Sequence, residues 1–202
     1  MTSRPLLPGL LPGPATLFDE RSRPGFRQVF GRLLANSTAL ATAVTRIRLS
    51  TLDLSAGELE GVRRFRVVVA ELNALHLDAE ARVLLTRPQQ AERVQRLARM
   101  LEDGRLEVRS APLGGWSPDF TVFASGDEAQ AVLLGYHQFG GPYPHRGPAL
   151  SSLHGPDAAR LASRRHDELW ARAHDVGPAL WSLLGRARRQ ANSLAAAGAQ
   201  SG

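Results

Sequence analysis

Residues 101–123 read LEDGRLEVRSAPLGGWSPDFTVF, and this stretch decides the fold class. Gly104 stands where an amphipathic helix must stop, because a residue at ease in the left-handed region lets the last carbonyls of a helix find partners. Leu106, Val108 and Ser110 then alternate with Glu107 and Arg109, the two-residue period of a strand with one buried face. Gly114 and Gly115 read as a turn, and Phe120, Val122 and Phe123 open a second strand. A helix that hands over to strands in this way predicts a mixed α/β domain.

Toward the N-terminus the pattern continues. Pro88 starts the helix over 89–102, with Val94, Leu97, Met100 and Leu101 as its apolar stripe. Residues 75–85 predict a shorter amphipathic helix. FRVVVA (65–70) is a near-continuous apolar run, as expected of a strand covered on both faces in a partly parallel sheet. Ser55 and Glu58 have the spacing of a capping box and predict a short helix. TALATAVTRIRL (38–49) predicts a buried strand whose last part alternates Val44, Arg46 and Arg48 against Thr45, Ile47 and Leu49. Residues 24–35 predict a helix with Phe26, Val29, Phe30, Leu33 and Leu34 on one face, Ser22 as its N-cap and Pro24 in its first turn.

Toward the C-terminus, AVLL (131–134) predicts another strand, with Asp127 in the turn before it. YHQFGGPYPHRGP (136–148) is a long loop rich in Gly, Pro and aromatics, and loops of that length tend to be functional or mobile. Residues 156–173 predict a polar helix anchored by Leu161, Leu169 and Trp170. A last helix begins at Pro178, with Leu180, Trp181, Leu183 and Leu184 inward and Arg186, Arg188 and Arg189 outward. The small residues after Leu194 are expected to fray. The expected organisation is a flexible Pro/Gly-rich arm over 1–21, one α/β domain over 22–176, and a C-terminal helix with a frayed tail over 177–202.

Composition narrows the chemistry. The 202 residues suffice for one well-cored domain. No apolar run approaches the roughly 18 residues of a membrane span, and prolines near the start break any signal-peptide helix. There are no cysteines, which excludes disulfides, thiolate metal sites and cysteine nucleophiles and fits a cytoplasmic protein. All 25 basic residues are arginine, against 19 acidic ones, for a net charge of +6. Any mechanism that needs a lysine is thereby excluded. An all-arginine composition fits GC-rich codon usage with a solvated surface, and it equally fits an anionic partner, nucleic acid being the commonest.

The frame around 101–123 resembles the phospholipase D-like phosphodiesterase superfamily. In that family a helix ending at Gly precedes a strand like Leu106-Glu107-Val108-Arg109, a short turn, a His-x-Lys motif, and a hydrophobic strand ending in Gly-Ser-x-Asn. Here Ser117-Pro118-Asp119 stands in place of His-x-Lys, and Gly135-Tyr136-His137-Gln138 in place of Gly-Ser-x-Asn. The resemblance extends over residues 26–176 and implies a mixed sheet flanked by helices, with an extra C-terminal helix. Family chemistry uses one His to attack phosphorus and a second to protonate the leaving group, while Lys and Asn hold the non-bridging oxygens. Ser117 could attack only with a base beside it. Asp119 puts negative charge where negative charge develops, which opposes catalysis. The resemblance thus implies a site degenerate at Ser117, Asp119, Tyr136 and Gln138, in a pseudoenzyme with no cofactor and no metal. Because the family assembles its site from two motif copies, it also implies a homodimer.

Other candidates compete with that reading. His137 lies near the end of a strand, with His145 farther along the loop. An active phosphodiesterase or nuclease rebuilt on His137 and Ser117 is the alternative, and two ordinary loop histidines the plainer reading. His166 and His174 fall on roughly one face of an expected helix, near Asp167, Glu168 and Asp175, without a helical zinc signature. His154 is isolated, and His76 reads as a surface or satisfied residue. Among Asp53, Glu58, Glu60 and Glu71, only Glu71 sits where a metal nuclease carries a strand-end carboxylate, and no lysine exists to complete that pattern. There is no Walker loop, GxGxxG or GxSxG.

The arginines are the better lead. Arg63, Arg64 and Arg66 cluster at a strand start; Arg160, Arg164, Arg165 and Arg172 share one helix, and Arg186, Arg188 and Arg189 the next. The guanidinium fork suits phosphate, and Tyr136, Phe139 and Tyr143 could stack on unpaired bases. Interleaved Asp157, Asp167 and Glu168 are the mark of a solvated helix face. The expected function is a catalytically degenerate domain that binds DNA or RNA as an accessory protein in DNA processing or repair, away from membranes. A protein-interaction scaffold is the further alternative.

Overall fold

Valine-rich runs set the centre of the molecule. The computed structural model describes residues 15–18, 23–47, 49, 59–111, 119–135 and 151–199. In chain order these form β1 (Ala15–Phe18), α1 (Arg23–Ala35), β2 (Ala39–Arg46), β3 (Arg64–Glu71), α2 (Ala74–Leu85), α3 (Pro88–Glu102) and β4 (Leu106–Ser110). There follow β5 (Phe120–Ser125), β6 (Glu128–Gly135), β7 (Ser151–His154), α4 (Pro156–Arg172), β8 (His174–Asp175) and α5 (Gly177–Ala199). The strands make one eight-stranded mixed sheet in the order β1-β7-β6-β5-β2-β3-β4-β8. Only β2–β3 and β3–β4 pair in parallel; each is joined by a crossover, the second through α2 and α3.

The apolar run of β3 is explained by cover on both sides. Phe65, Val67 and Val69 enter one core, and Val68 enters the other. On the first face α1, α2, α3 and α5 deliver Phe30, Leu33, Leu34, Leu77, Met100, Leu180 and Leu184. On the second face α4 lays Ala159, Leu169 and Trp170 over Ala43, Val68, Phe120, Val122 and Val132. The one polar pair within the central strands is self-satisfied: the Thr42 and Thr121 hydroxyls, cross-strand partners, lie 3.0 Å apart.

Local signals place the ends. Gly104 has φ of +73° where α3 stops, so the expected stop is met by the residue that tolerates that conformation. Asn73 caps α2, its side-chain oxygen accepting from the His76 N–H at 3.0 Å.

Several expectations are corrected. Residues 15–18, assigned to a flexible arm, form edge strand β1, paired antiparallel with β7. A proline-flanked run can do this because an edge strand needs a ladder on one side only. β7 and β8 are additional strands, too short to announce themselves by periodicity. β2 ends at Arg46, so the alternation through Leu49 is not strand. Leu161 and Trp181 are not anchors: they are 61% and 49% exposed, and Ala159, His166, Leu169 and Trp170 hold α4 instead. Leu180, Leu183 and Leu184 of α5 do face inward as expected and lie in the main core with Ala187. The helix runs to Ala199 because the alanines past Leu194 are strong helix formers. The expected Ser22 cap, the 55–58 helix start, the Gly114-Gly115 turn and the 136–148 loop lie outside the described residues.

Candidate functional site

Strand directions gather one set of ends. β2, β3, β4 and β6 all point the same way, because β5 is antiparallel to both β2 and β6. At that end the chain leaves the described residues after Ala111 and Gly135 and re-enters them at Asp119 and Ser151. Ligands of open α/β sheets collect at the carboxyl ends of strands, so this end is the first place to look.

Asp119 and Glu71 are carboxylates there; Glu71 ends β3 and pairs with Arg46, whereas Asp119 is more buried. It immediately precedes β5 and ties three strands together. Its Oδ1 accepts from the Thr45 backbone N–H at 2.8 Å and from the Thr45 hydroxyl at 3.0 Å. Its backbone carbonyl accepts from the Gly135 N–H at 2.9 Å. Gly135 has φ of +105°, a conformation that a side chain would strain. Burial pushes the Asp119 carboxyl above its usual range, and the two bonds from Thr45 oppose that shift. Of the four positions implied to be degenerate, only Asp119 falls among the described residues; Ser117, Tyr136 and Gln138 do not, nor do His137, His145, Phe139 and Tyr143.

The arginines separate by face. In β3 and β4, Arg64, Arg66, Glu107 and Arg109 share the strand parity of Val68 and so stand on the α4 side of the sheet. α4 packs chiefly on β6 and less closely on β5, β2, β3 and β7, and its Trp170 reaches Arg109 of β4. The β3–β4 strip beside it is therefore left to polar side chains. The guanidinium carbons of Arg66 and Arg109 lie 4.9 and 4.3 Å from the Trp170 ring centroid. An Arg109 Nη donates to the Trp170 carbonyl at 3.2 Å. Arg66 stands 3.7 Å from both Glu107 and Asp167, and Arg64 3.7 Å from Glu107. Since Asp167 reaches β3, helical spacing puts Arg160 and Ser163 toward that same flank of α4, while Arg164, two residues from buried His166, is exposed on the outer side.

Other predicted residues lie elsewhere. Arg165 is on the opposite flank, 3.0 Å from Glu168. Arg186, Arg188 and Arg189 ride on α5, across the sheet. Arg63 is exposed at the bend before β3. So Arg64 and Arg66 come together around Glu107 on β3 and β4, Arg160 pairs with Asp157 on its own helix, and Arg165 and the α5 arginines lie elsewhere. Arg109 was missed, although its strand parity with Arg66 made it findable.

The histidine readings resolve individually. His166 and His174 do not share a helix face: α4 ends at Arg172, and His174 is exposed on β8. His166 is 1% exposed and stacks on Trp170 at 5.7 Å. Burial lowers its pKa to about 4; neighbouring Asp167 and the Thr42 backbone pull it up, and Arg64 pushes it further down. His154 lies 2.9 Å from the Ser152 hydroxyl, and His76 is exposed. Glu71 pairs with Arg46 at 3.3 Å. Among the described residues no group of three or more His, Asp or Glu is placed to hold a metal. No helix among them is long and apolar enough to cross a membrane.

No family model matches the sequence, and no curated protein does. Solved structures do. NucT from Helicobacter pylori superposes with a TM-score of 0.51 at 9% identity, over 80% of this chain and 98% of that one. Nuc from Salmonella typhimurium, a phospholipase D family member, gives 0.49 at 11%, over 80% and 96%. TrmBL2, an archaeal chromatin protein whose structure shows a mode of DNA binding, gives 0.47 at 11%, over 85% of this chain; the chain spans 58% of that protein's length. At these identities the likeness is one of fold. The eight-stranded mixed sheet flanked by helices shares its fold with NucT.

Proposed function

We propose that this chain is a catalytically degenerate phospholipase D-like domain that binds nucleic acid through the arginine strip between α4 and β3–β4. The observation that carries the reading is the placement of Arg64, Arg66 and Arg109 from two strands on one face of the sheet, beside Trp170 and Asp167 of the flanking helix. The ion pairs of Arg64 and Arg66 are partly solvated and loose, so they cost little to exchange for phosphate. Arg164 has no carboxylate partner among the described residues. The net charge of +6 favours encounter with a polyanion.

Catalytic degeneracy is supported by the missing lysine and by Asp119, whose carboxylate stands at the strand ends where the resemblance implies a phosphate-holding cation. In this reading the protein works beside nucleic-acid-processing enzymes, in repair or a related process, as a homodimer. Binding of short single- and double-stranded DNA, followed against salt, tests it. Affinity should fall linearly on logarithmic axes as salt rises, because each arginine contact releases counterions. Absence of binding at low salt overturns the reading. Hydrolysis of a generic phosphodiester by the purified protein overturns the degenerate part alone, and a monomer by light scattering the dimeric part alone.

A further inference from the structure

We infer that Arg66 and Arg109, mounted on Trp170, form a phosphate clamp at the floor of the arginine strip, which grips the sugar–phosphate backbone without reading bases. The inference rests on the proposed nucleic-acid reading and names the ligand group and the residues that take it.

The argument begins with unspent donors. A guanidinium carries several N–H groups in a planar fork. Arg109 uses one of them, on the Trp170 carbonyl. Arg66 makes ion pairs at 3.7 Å, beyond hydrogen-bond reach, so its buried Nε, which faces Glu107, has no hydrogen-bond partner. Two like charges are nevertheless held against one indole, at 4.9 and 4.3 Å. The ring's negative face offsets part of their repulsion, and an oxyanion between the forks would offset the rest. Cross-strand register fixes the pair: Arg66 faces Glu107, and Arg109 faces Val68 one step along. The clamp is thus built on strands and needs little ordering on binding.

Trp170 also defines what the clamp does not do. It is 8% exposed, its ring is engaged by the two guanidiniums, and His166 stacks on it. It has no face to offer a base. Grip through Arg66 and Arg109 should therefore be indifferent to base identity.

Fluorescence anisotropy with labelled oligo-dA, oligo-dC and oligo-dT of equal length tests this, with inorganic pyrophosphate as competitor. Wild type should bind the three oligomers within about threefold of one another, and pyrophosphate should displace them. Arg109→Gln should weaken all three by about tenfold and lower the salt slope by about one. The Trp170 carbonyl keeps the Ala173 N–H at 3.3 Å in that variant. Should Arg109→Gln fail to fold, Arg66→Gln serves, with the same expected loss. Unchanged affinity in the folded clamp variant, beside a loss in Arg160→Ala/Arg164→Ala, overturns the clamp and leaves the nucleic-acid reading standing. A strong preference for one base does the same. No binding of any oligomer at low salt overturns both.

Discussion

The two faces of the sheet are built from the same strands and finished differently. One carries α1, α2, α3 and α5, and its core is apolar throughout. The other carries α4 alone, which covers β6, β5 and β2 and leaves arginines, a glutamate and a buried histidine toward β3 and β4. The difference teaches that stability and binding are assigned to opposite sides. The closed face can be tested first, because the effect there should be largest. Truncation before Gly177 removes Leu180, Leu183, Leu184 and Ala187 from the main core, and the remainder should lose its cooperative thermal transition. The single change Leu184→Ala should cost about 2–5 kcal/mol in urea denaturation, as large-to-small core changes do. A truncated chain that still melted cooperatively would make α5 an appendage after all, and the closed face a three-helix one.

The next largest effect belongs to the open face. His166 titrates near 6.5 when unfolded and is lowered to about 4 when folded, with burial as the main cause. Between those values the unfolded chain takes up a proton that the folded chain refuses, so stability falls as pH drops from about 6.5 toward 4. The shift corresponds to about 3 kcal/mol lost by this residue across that window. His166→Phe keeps a ring against Trp170 and removes the proton. Urea melts at pH 7 and pH 4.5 should show a smaller acid loss in the variant than in wild type. Equal losses in the two proteins would mean that the ring is protonated inside the fold.

How much of this could be read in advance follows the same division. The closed face was legible because period and composition agree: the stripe of α3, the run of β3 and the stop at Gly104 each have one physical meaning. The strand-end site was legible only at Asp119, whose tie to Thr45 spans distant sequence and leaves no local trace. The arginines were legible as clusters but not as a surface. Arg165 and Asp167 are close in sequence and lie on opposite flanks of α4, whereas Arg66 and Arg109 are far apart in sequence and share one indole. His166 looked like a surface ligand because Asp167 and Glu168 follow it, yet it is the residue that faces the sheet.

That contrast yields a graded test of the arginines themselves. Arg64→Ala, Arg160→Ala and Arg164→Ala should each weaken DNA binding by roughly 1 kcal/mol and reduce the salt slope by about one. The triple change at Arg186, Arg188 and Arg189 on α5 should leave the slope of the strip unchanged. If the α5 triple variant loses more affinity than the strip variants, the binding face has been assigned to the wrong side of the sheet.

The smallest expected effect lies at the strand ends, where the two faces meet. Asp119 ties β2 to β5 and β6 through oxygens that an asparagine also possesses: the Oδ1 that accepts from Thr45 and the backbone carbonyl that accepts from Gly135. Burial raises its pKa above 3.8, so the folded state holds this proton more tightly than the unfolded chain does. The charge therefore opposes folding as pH rises through that range, and above it the penalty is constant. Asp119→Asn should accordingly match or slightly exceed wild-type stability at pH 7, measured by thermal melting. It also removes a negative charge from the ends toward which any bound phosphate would run, and should modestly strengthen DNA binding at low salt. A clear loss of stability would show that the carboxylate charge itself, rather than its oxygen geometry, holds the three strands together.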